Sequence, residues 1–388
     1  MKKWILGAVF AVCILVSVPV FSVCAQETEV AGEMGEDAGE IDDSLLEEID
    51  LTDIEEFLGE NEETTEVSFQ ELIRSLLSQE GQPDKKEVFG RIWQLAASEL
   101  VESKGIFIQL LIMCAAFAVL HNFANVFENS QIHTTCFFMF YMALITLLMK
   151  SYLLIHQIIT SVMGSLTEFM QVLLPAFCMA LIFSGAMSTA AVFYQIAAAV
   201  IFLVENILVY IVVPAVHIYV VMQMLNYMTG GDMISHLTKL LRKIICWSLR
   251  IMVAAVAGIN IIQNLIAPAL DGLKNTVVTK ALNMIPGIGG SANAVTSMFL
   301  GSAAVIKNGI GAAALIILLI LCLGPVIKVA VLMLLYKLTG ALVQPISDKR
   351  VCGCISSVGD GAALLLQVLV TAMMMFMVTI AIVTAAVK

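Results

Sequence analysis

Glu205, Pro214 and His217 stand in "AVIFLVENILVYIVVPAVHIYVVMQML", residues 199–225, which is otherwise almost wholly apolar. A carboxylate in such a run has three chemical uses. It can pair with a buried cation, line a water-filled path, or stay protonated and accept or donate a neutral hydrogen bond. Facing lipid is a fourth arrangement that the cost of burying charge disfavours. Glu205 is therefore expected to face other helices or a water path, with Lys328, Lys337 or Arg250 as partner and Asn206 as a neutral hydrogen-bonding neighbour. The other reactive side chains form no known constellation. The five histidines are scattered. Ser184 in "FSGAMS" lacks a G-x-S-x-G frame. "GIGGSANAVTSMFLG" has glycines but no Lys and no strand–loop–helix context for a phosphate loop. No H-E-x-x-H occurs. Cys352 and Cys354 in "VCGC" are spaced C-x-C, with no second pair or nearby His to complete a metal site. No catalytic, cofactor-binding or metal-binding residue is assigned, and the chain is not read as an enzyme.

The elements that hold these residues are those of a membrane protein. Of 388 residues, 60% are hydrophobic and 13% charged, with a mean hydropathy of +0.95. Soluble domains carry about 25% charged residues. Stretches of about 20 apolar residues, enough to cross a bilayer, recur near 105–127, 134–158, 166–183, 190–228, 243–267, 303–340 and 360–386. The fold class is thus an all-α polytopic membrane protein with about seven transmembrane helices. The fourth and sixth stretches are nearly twice the usual length, so they are expected to break, at Pro214 and at Gly324-Pro325. Seven simple spans starting outside would put Lys239, Arg242 and Lys243 outside, against the positive-inside tendency. The orientation stays open at this point.

Four regions follow from composition. Residues 1–25, "MKKWILGAVFAVCILVSVPVFSVCA", have the basic start, apolar run and small-residue end of a signal peptide; an uncleaved first helix is the alternative. Residues 26–66 form an acidic, extracytoplasmic segment expected to be disordered. Residues 27–66 hold 18 of the 31 acidic residues and no Lys or Arg. Within it, "DSLLEEIDLTDIEEFL" carries a patchy stripe of Leu45, Ile49, Ile54, Phe57 and Leu58 that could fold against a partner. Residues 67–104 read as short amphipathic helices. Ser68 and Glu71 form a capping box ahead of Phe69, Leu72, Ile73 and Leu76. Phe89, Ile92, Trp93, Ala96 and Leu100 make a second stripe suited either to the membrane interface or to packing on the protein's own extramembrane surface. Residues 105–388 form the multi-spanning domain, in contact with the lipid bilayer. A net charge of −11 offers nucleic acid no basic surface.

Two further patterns bear on architecture. Pro175 and Pro214 are 39 residues apart, as are Pro286 and Pro325, at an offset of 111. The two units read as an internal repeat, as transporters often have, or as coincidence among apolar residues. "NMIPGIGGSANAVTSMFLGSAAVIKNGIG" is rich in Gly, Ser, Ala and Asn, and reads either as a re-entrant, pore-lining segment or as a small-residue packing loop.

The strings "RIWQLAASELVES", "IPGIGGSANAVTSMFLGSAAVIKNGIG" and "GPVIKVAVLMLLYKLTGALVQPISD", with the overall layout, resemble the stage III sporulation protein AE family of endospore-forming bacteria over essentially the full length. The resemblance implies a membrane subunit of the transenvelope channel, or feeding tube, between mother cell and forespore. It would sit multi-pass in the mother-cell membrane around the forespore. Implied partners are other stage III sporulation membrane proteins, including a secretion-type ATPase and ring-forming proteins of the intermembrane space. The family has no assigned catalytic residues to carry over. An independent permease or secondary transporter of a small solute is the alternative.

Overall fold

The computed structural model describes residues 51–60, 68–77, 98, 101, 104–124, 130–229, 234–283, 289–345 and 348–386. The expected signal peptide and almost all of the Trp93-bearing amphipathic helix lie outside the described residues.

The described chain is helical: α1 Thr52–Glu60, α2 Phe69–Leu77, α3 Lys104–Ala124, α4 Ser130–Phe183, α5 Met187–Phe202, a π-helical stretch Leu203–Val212, α6 Val213–Thr229, α7 Ser235–Asn283, α8 Gly289–Val343 and α9 Lys349–Ala386. Five of these runs are long and apolar enough to cross a membrane: Phe138–Phe183, Met187–Thr229, Ser235–Ile262, Phe299–Val343 and Lys349–Ala385.

The expected seven spans are not found as such. The stretches 134–158 and 166–183 are one helix, α4. The sequence between them, "ITSVMGS", is polar enough to read as a loop. Threonine hydroxyls in it and just after it bond along their own helix. Thr160 Oγ1 donates to the His156 carbonyl (2.9 Å) and Thr167 Oγ1 to that of Met163 (2.8 Å), which satisfies them without leaving the helix.

The proline breaks are not found either. Pro325 lies inside continuous α8 and Pro175 inside α4. Pro214 sits in the first turn of α6, directly after ten π-helical residues. Wider π turns give room for the ring that would clash with the carbonyl four residues back. The Asn206 amide donates to the Phe202 carbonyl at 3.2 Å, giving it a side-chain partner. The repeat fails on the same evidence. Residues 175–228 fold back at Ser184–Ala186, whereas α8 runs straight through its counterpart. The small-residue segment is neither re-entrant nor a loop from residue 289 on; it is the start of α8.

The fold-back is a tight helix end. Gly185 takes φ 77, its N–H bonds the Ile182 carbonyl, and the Ala186 N–H bonds that of Leu181, both at 3.0 Å. This is the Schellman pattern, which favours glycine at its left-handed position. Phe177 and Phe193, 4.9 Å apart, then zip α4 to α5.

Helix α9 is the central element, touching α4, α5, α6, α7 and α8. Glycine allows this. A Cβ on Gly361 would strike Val220 and Tyr152, and one on Gly353 would strike Tyr227. Small residues let helices approach where lipid supplies no hydrophobic drive.

Part of the acidic segment expected to be disordered is ordered. Leu51, Ile54, Phe57 and Leu58 are buried, and Phe57 packs on Phe169 of α4 at 5.8 Å. For Ile54, Phe57 and Leu58 the partner is the chain itself, while Leu45 and Ile49 of the expected stripe lie outside the described residues. The capping box holds in modified form. The Glu71 N–H reaches Ser68 Oγ at 3.4 Å, but Ser68 Oγ and the Gln70 N–H both donate to Glu55 of α1, at 3.0 Å. The cap therefore also ties α1 to α2.

Candidate functional site

The membrane helices carry a polar cluster where α4, α6, α7, α8 and α9 converge. Its centre is an ion pair, Lys337 Nζ to Asp360 Oδ1 at 3.2 Å, joining α8 to α9. Asp360 stands between Gly359 and Gly361, so α9 lies close to its neighbours there. A Cβ on Gly359 would sit 3.0 Å from Lys337 Cγ and 3.4 Å from Tyr336 Cβ. The carboxylate is thus brought to Lys337 by the same glycines that pack the helices.

Two tyrosines close the cluster inward. Tyr152 and Tyr336 are fully buried; the Tyr152 hydroxyl has no hydrogen-bond partner among the described residues, while that of Tyr336 faces Ser151. Most buried hydroxyls are satisfied, so Tyr152 marks a place where polarity is held ready inside an apolar bundle. His217 lies against Tyr152, with ring centroids 5.7 Å apart, and His156 meets His217 edge-on at 6.3 Å. Arg242 and Asp360 both act electrostatically on the Tyr219 hydroxyl.

Below the cluster lie the connections. The Tyr141 hydroxyl donates to the Met224 carbonyl at 3.0 Å, within the core. Asn226 Oδ1 accepts from the Ile234 N–H at 3.2 Å, closing the α6–α7 connection. Asp348 caps α9, taking the Arg350 N–H at 3.3 Å. His236, Lys239, Arg242, Lys243, Lys349 and Arg350 surround these two connections, making this the basic end of the bundle.

A second polar point lies toward the other end. Lys307 of α8 is fully buried, and its ammonium donates to the Thr384 carbonyl of α9 at 3.2 Å. A side chain on Gly311 would collide with Thr384, so glycine makes room for this contact.

The sequence-stated candidates separate. His217 belongs to the cluster. Lys337 does too, but it pairs with Asp360 rather than with Glu205. Glu205 lies exposed on the outer surface of the chain, within the π-helical stretch. The expectation that it faces other helices of this chain is therefore corrected. In an all-apolar helix the sequence cannot say which face is inward, because no polar face contrasts with it. Arg250 is also exposed and Lys328 is half-buried. Sequence reasoning missed Asp360 and Lys307. Both carried a usable signal, a lone charge among glycine and apolar residues, and an intramembrane charge is a functional candidate by default.

Chemically, the arrangement can hold charge and orient hydroxyls within the bundle. Among the described residues, no group of three or more His, Cys, Asp or Glu is placed to hold a metal ion.

Three comparisons bear on identity. A family model described as stage III sporulation protein AE matches residues 67–387. Stage III sporulation protein AE of Bacillus subtilis (strain 168) is 25% identical over 373 residues, covering 93% of this chain and 91% of that protein. No solved structure matches the chain. Because the family match takes in everything from α2 to the end of α9, the chain belongs to the stage III sporulation protein AE family.

Proposed function

We propose that this chain, a sporulation protein by family, is a polytopic subunit of the transenvelope channel that links mother cell and forespore during endospore formation. It would sit in the mother-cell membrane, with its N-terminal segment in the intermembrane space. The observation that carries the reading is the family match over residues 67–387 on a bundle with five membrane-length helices. The proposed partners are the other stage III sporulation membrane proteins, a secretion-type ATPase and intermembrane ring proteins.

The merging of two expected spans into α4 supports the orientation. With α3 as the first crossing, six passes follow: α3, α4, α5 to α6, α7, α8 and α9. An extracytoplasmic start then places both basic connections, at Lys239–Lys243 and Lys349–Arg350, on the cytoplasmic side. That agrees with the positive-inside tendency and removes the conflict that seven spans created. Placing α1 and α2 outside fits as well. The first packs on Phe169 of α4, on the side of the cluster away from the basic end, and α2 packs on α1 and α8.

The test is purification from sporulating cells in mild detergent, with identification of what accompanies the chain. Recovery of the ATPase and ring proteins is expected, and recovery of the chain alone would overturn the reading. A permease is the second reading, favoured by the Lys337–Asp360 pair and the unpartnered Tyr152 hydroxyl within the bundle. It requires solute flux by the purified chain in liposomes without partners.

A further inference from the structure

We propose that this chain assembles with copies of itself, and that Glu205 of one copy pairs with Arg250 of the next. The proposal does not depend on the channel reading. It starts from two opposite charges on membrane-length helices, both on the outer surface of the chain. Glu205 is near the middle of Met187–Thr229 and Arg250 near the middle of Ser235–Ile262. Neither position suits lipid, and an apolar solvent makes opposite charges seek each other.

Depth decides which charges can meet. Copies in one membrane share its normal as their symmetry axis, so only residues at similar depth come together. Cys246 against Gln367 and Asn260 against Thr379 set α7 parallel to α9, which puts Arg250 level with Val370. Gly361 against Val220 sets α6 antiparallel to α9, which puts Glu205 level with about Phe376. The two charges are roughly 9 Å apart along the axis at 1.5 Å per residue. That lies within the joint reach of an extended arginine and a glutamate. Lys150 of α4 is also exposed, but it lies near the level of Asp360, too far toward the basic end.

The surface beside Glu205 is built for a helix. Ala191, Gln195, Ala198, Phe202 and Glu205 are all exposed at alternating spacings of four and three. That is the seam of a packed helix pair, with small residues for close approach and polar ones for interhelical bonds. Across from it, Arg250 carries Ala254 one turn on, also exposed. Arginine has five N–H donors in a planar fork, so a contact within its own chain leaves donors for a carboxylate of another. The π-helical stretch adds a second reason to look here, since such insertions recur at functional sites.

The experiment uses the full chain. Phe202, 62% exposed, is replaced by a photo-crosslinking phenylalanine analogue, and membranes are irradiated. Adducts at twice the mass of the chain are expected; adducts to lipid alone, or to a different protein alone, overturn the proposal. Glu205→Arg and Arg250→Glu should each reduce the doubled band at least tenfold. The two together should restore it. Glu168→Gln, an exposed carboxylate at a similar depth on α4, should leave it unchanged. Single reversals that leave the band intact, or a double reversal that fails to restore it at normal membrane abundance, sink the pairing. If the reversals reduce abundance, the crosslink in the otherwise native chain still decides, because it needs no charge change.

Discussion

Neutralising Asp360 should destabilise the bundle, and neutralising Lys337 as well should recover most of the loss. The two charges are 3.2 Å apart. Their Coulomb attraction is about 1 kcal/mol in bulk water and about 5 kcal/mol at an effective dielectric constant of 20. The side chains keep 35% and 26% of their exposure, so the upper figure is an overestimate. Exposed pairs are worth about 0–1 kcal/mol, while removing one partner of a fully buried pair costs about 3–5 kcal/mol. A coupling of about 1–3 kcal/mol lies between these limits. Asp360→Asn leaves Lys337, whose stem packs on Gly359, without its ion-pair partner among the described residues. Lys337→Met keeps most of the stem that packs on Gly359. The measurement is a double-mutant cycle of unfolding midpoints in detergent. Each single change should lose stability, and the double should lie closer to the original chain than the sum of the singles. Strict additivity would mean that the pair contributes nothing, and that α9 is held by glycine packing alone.

Other consequences are simpler. Gly361→Val should cost about 1–3 kcal/mol of unfolding stability by overpacking, because its side chain meets Val220 and Tyr152. Gly164→Ala, with nothing within 4 Å, should be neutral or stabilise by up to about 1 kcal/mol through helix propensity. Phe57→Ala should cost about 3–5 kcal/mol and speed proteolysis of the N-terminal region, since Phe57 holds α1 to Phe169; an unchanged digestion pattern would refute the docking. A cysteine at Ser44 should react with a membrane-impermeant thiol reagent in intact cells, whereas one at Lys349 should react only after permeabilisation. The opposite pattern reverses the proposed orientation.

The sequence made the long helices legible because apolar length is a one-dimensional signal. It also made the cap at Ser68 legible, since a capping box is local. It did not reveal that Ser68 would share Glu55 of another helix, which is a tertiary fact. The run 159–165 misled because Thr, Ser and Gly are loop formers in water, yet in lipid a threonine bonds its own helix and stays. Pro325 misled for a related reason. A proline inside a helix costs it a hydrogen bond, but packing on neighbouring helices leaves the chain no better alternative. The central place of α9 was written in Gly353, Gly359 and Gly361. Reading it requires knowing that Tyr227, Tyr336 and Val220 stand opposite them. Asp360 fell at the margin of an expected span, 360–386; the close packing of Gly359 on Lys337 and Tyr336 holds it inside α9.

Helix length gives the bundle a further consequence under the proposed orientation. Lys150, Lys239, Lys337 and Asp360 come from four helices and lie near one level, by the contacts of Tyr152 with the Gly361 position and of Cys246 with Gln367. If that level marks the inner face of the hydrocarbon, a core of about 30 Å ends some 20 residues further along α9, near Ile380. The 54 residues of α4 and 55 of α8 extend to roughly 80 Å at 1.5 Å per residue. Tilt of the usual size does not absorb such an excess. On the side away from the basic connections α8 carries most of its surplus and the end of α4 projects as well, whereas the first 20 residues of α4, before Lys150, extend on the basic side. That projection includes the fold-back at Gly185, the contact of Lys307 with Thr384, and the beginning of α8. Lys307 is then buried by helices rather than by lipid, and its cost is that of a protein interior. Glu205, level with about Phe376, lies inside this boundary, where the arginine of a neighbouring copy would meet it.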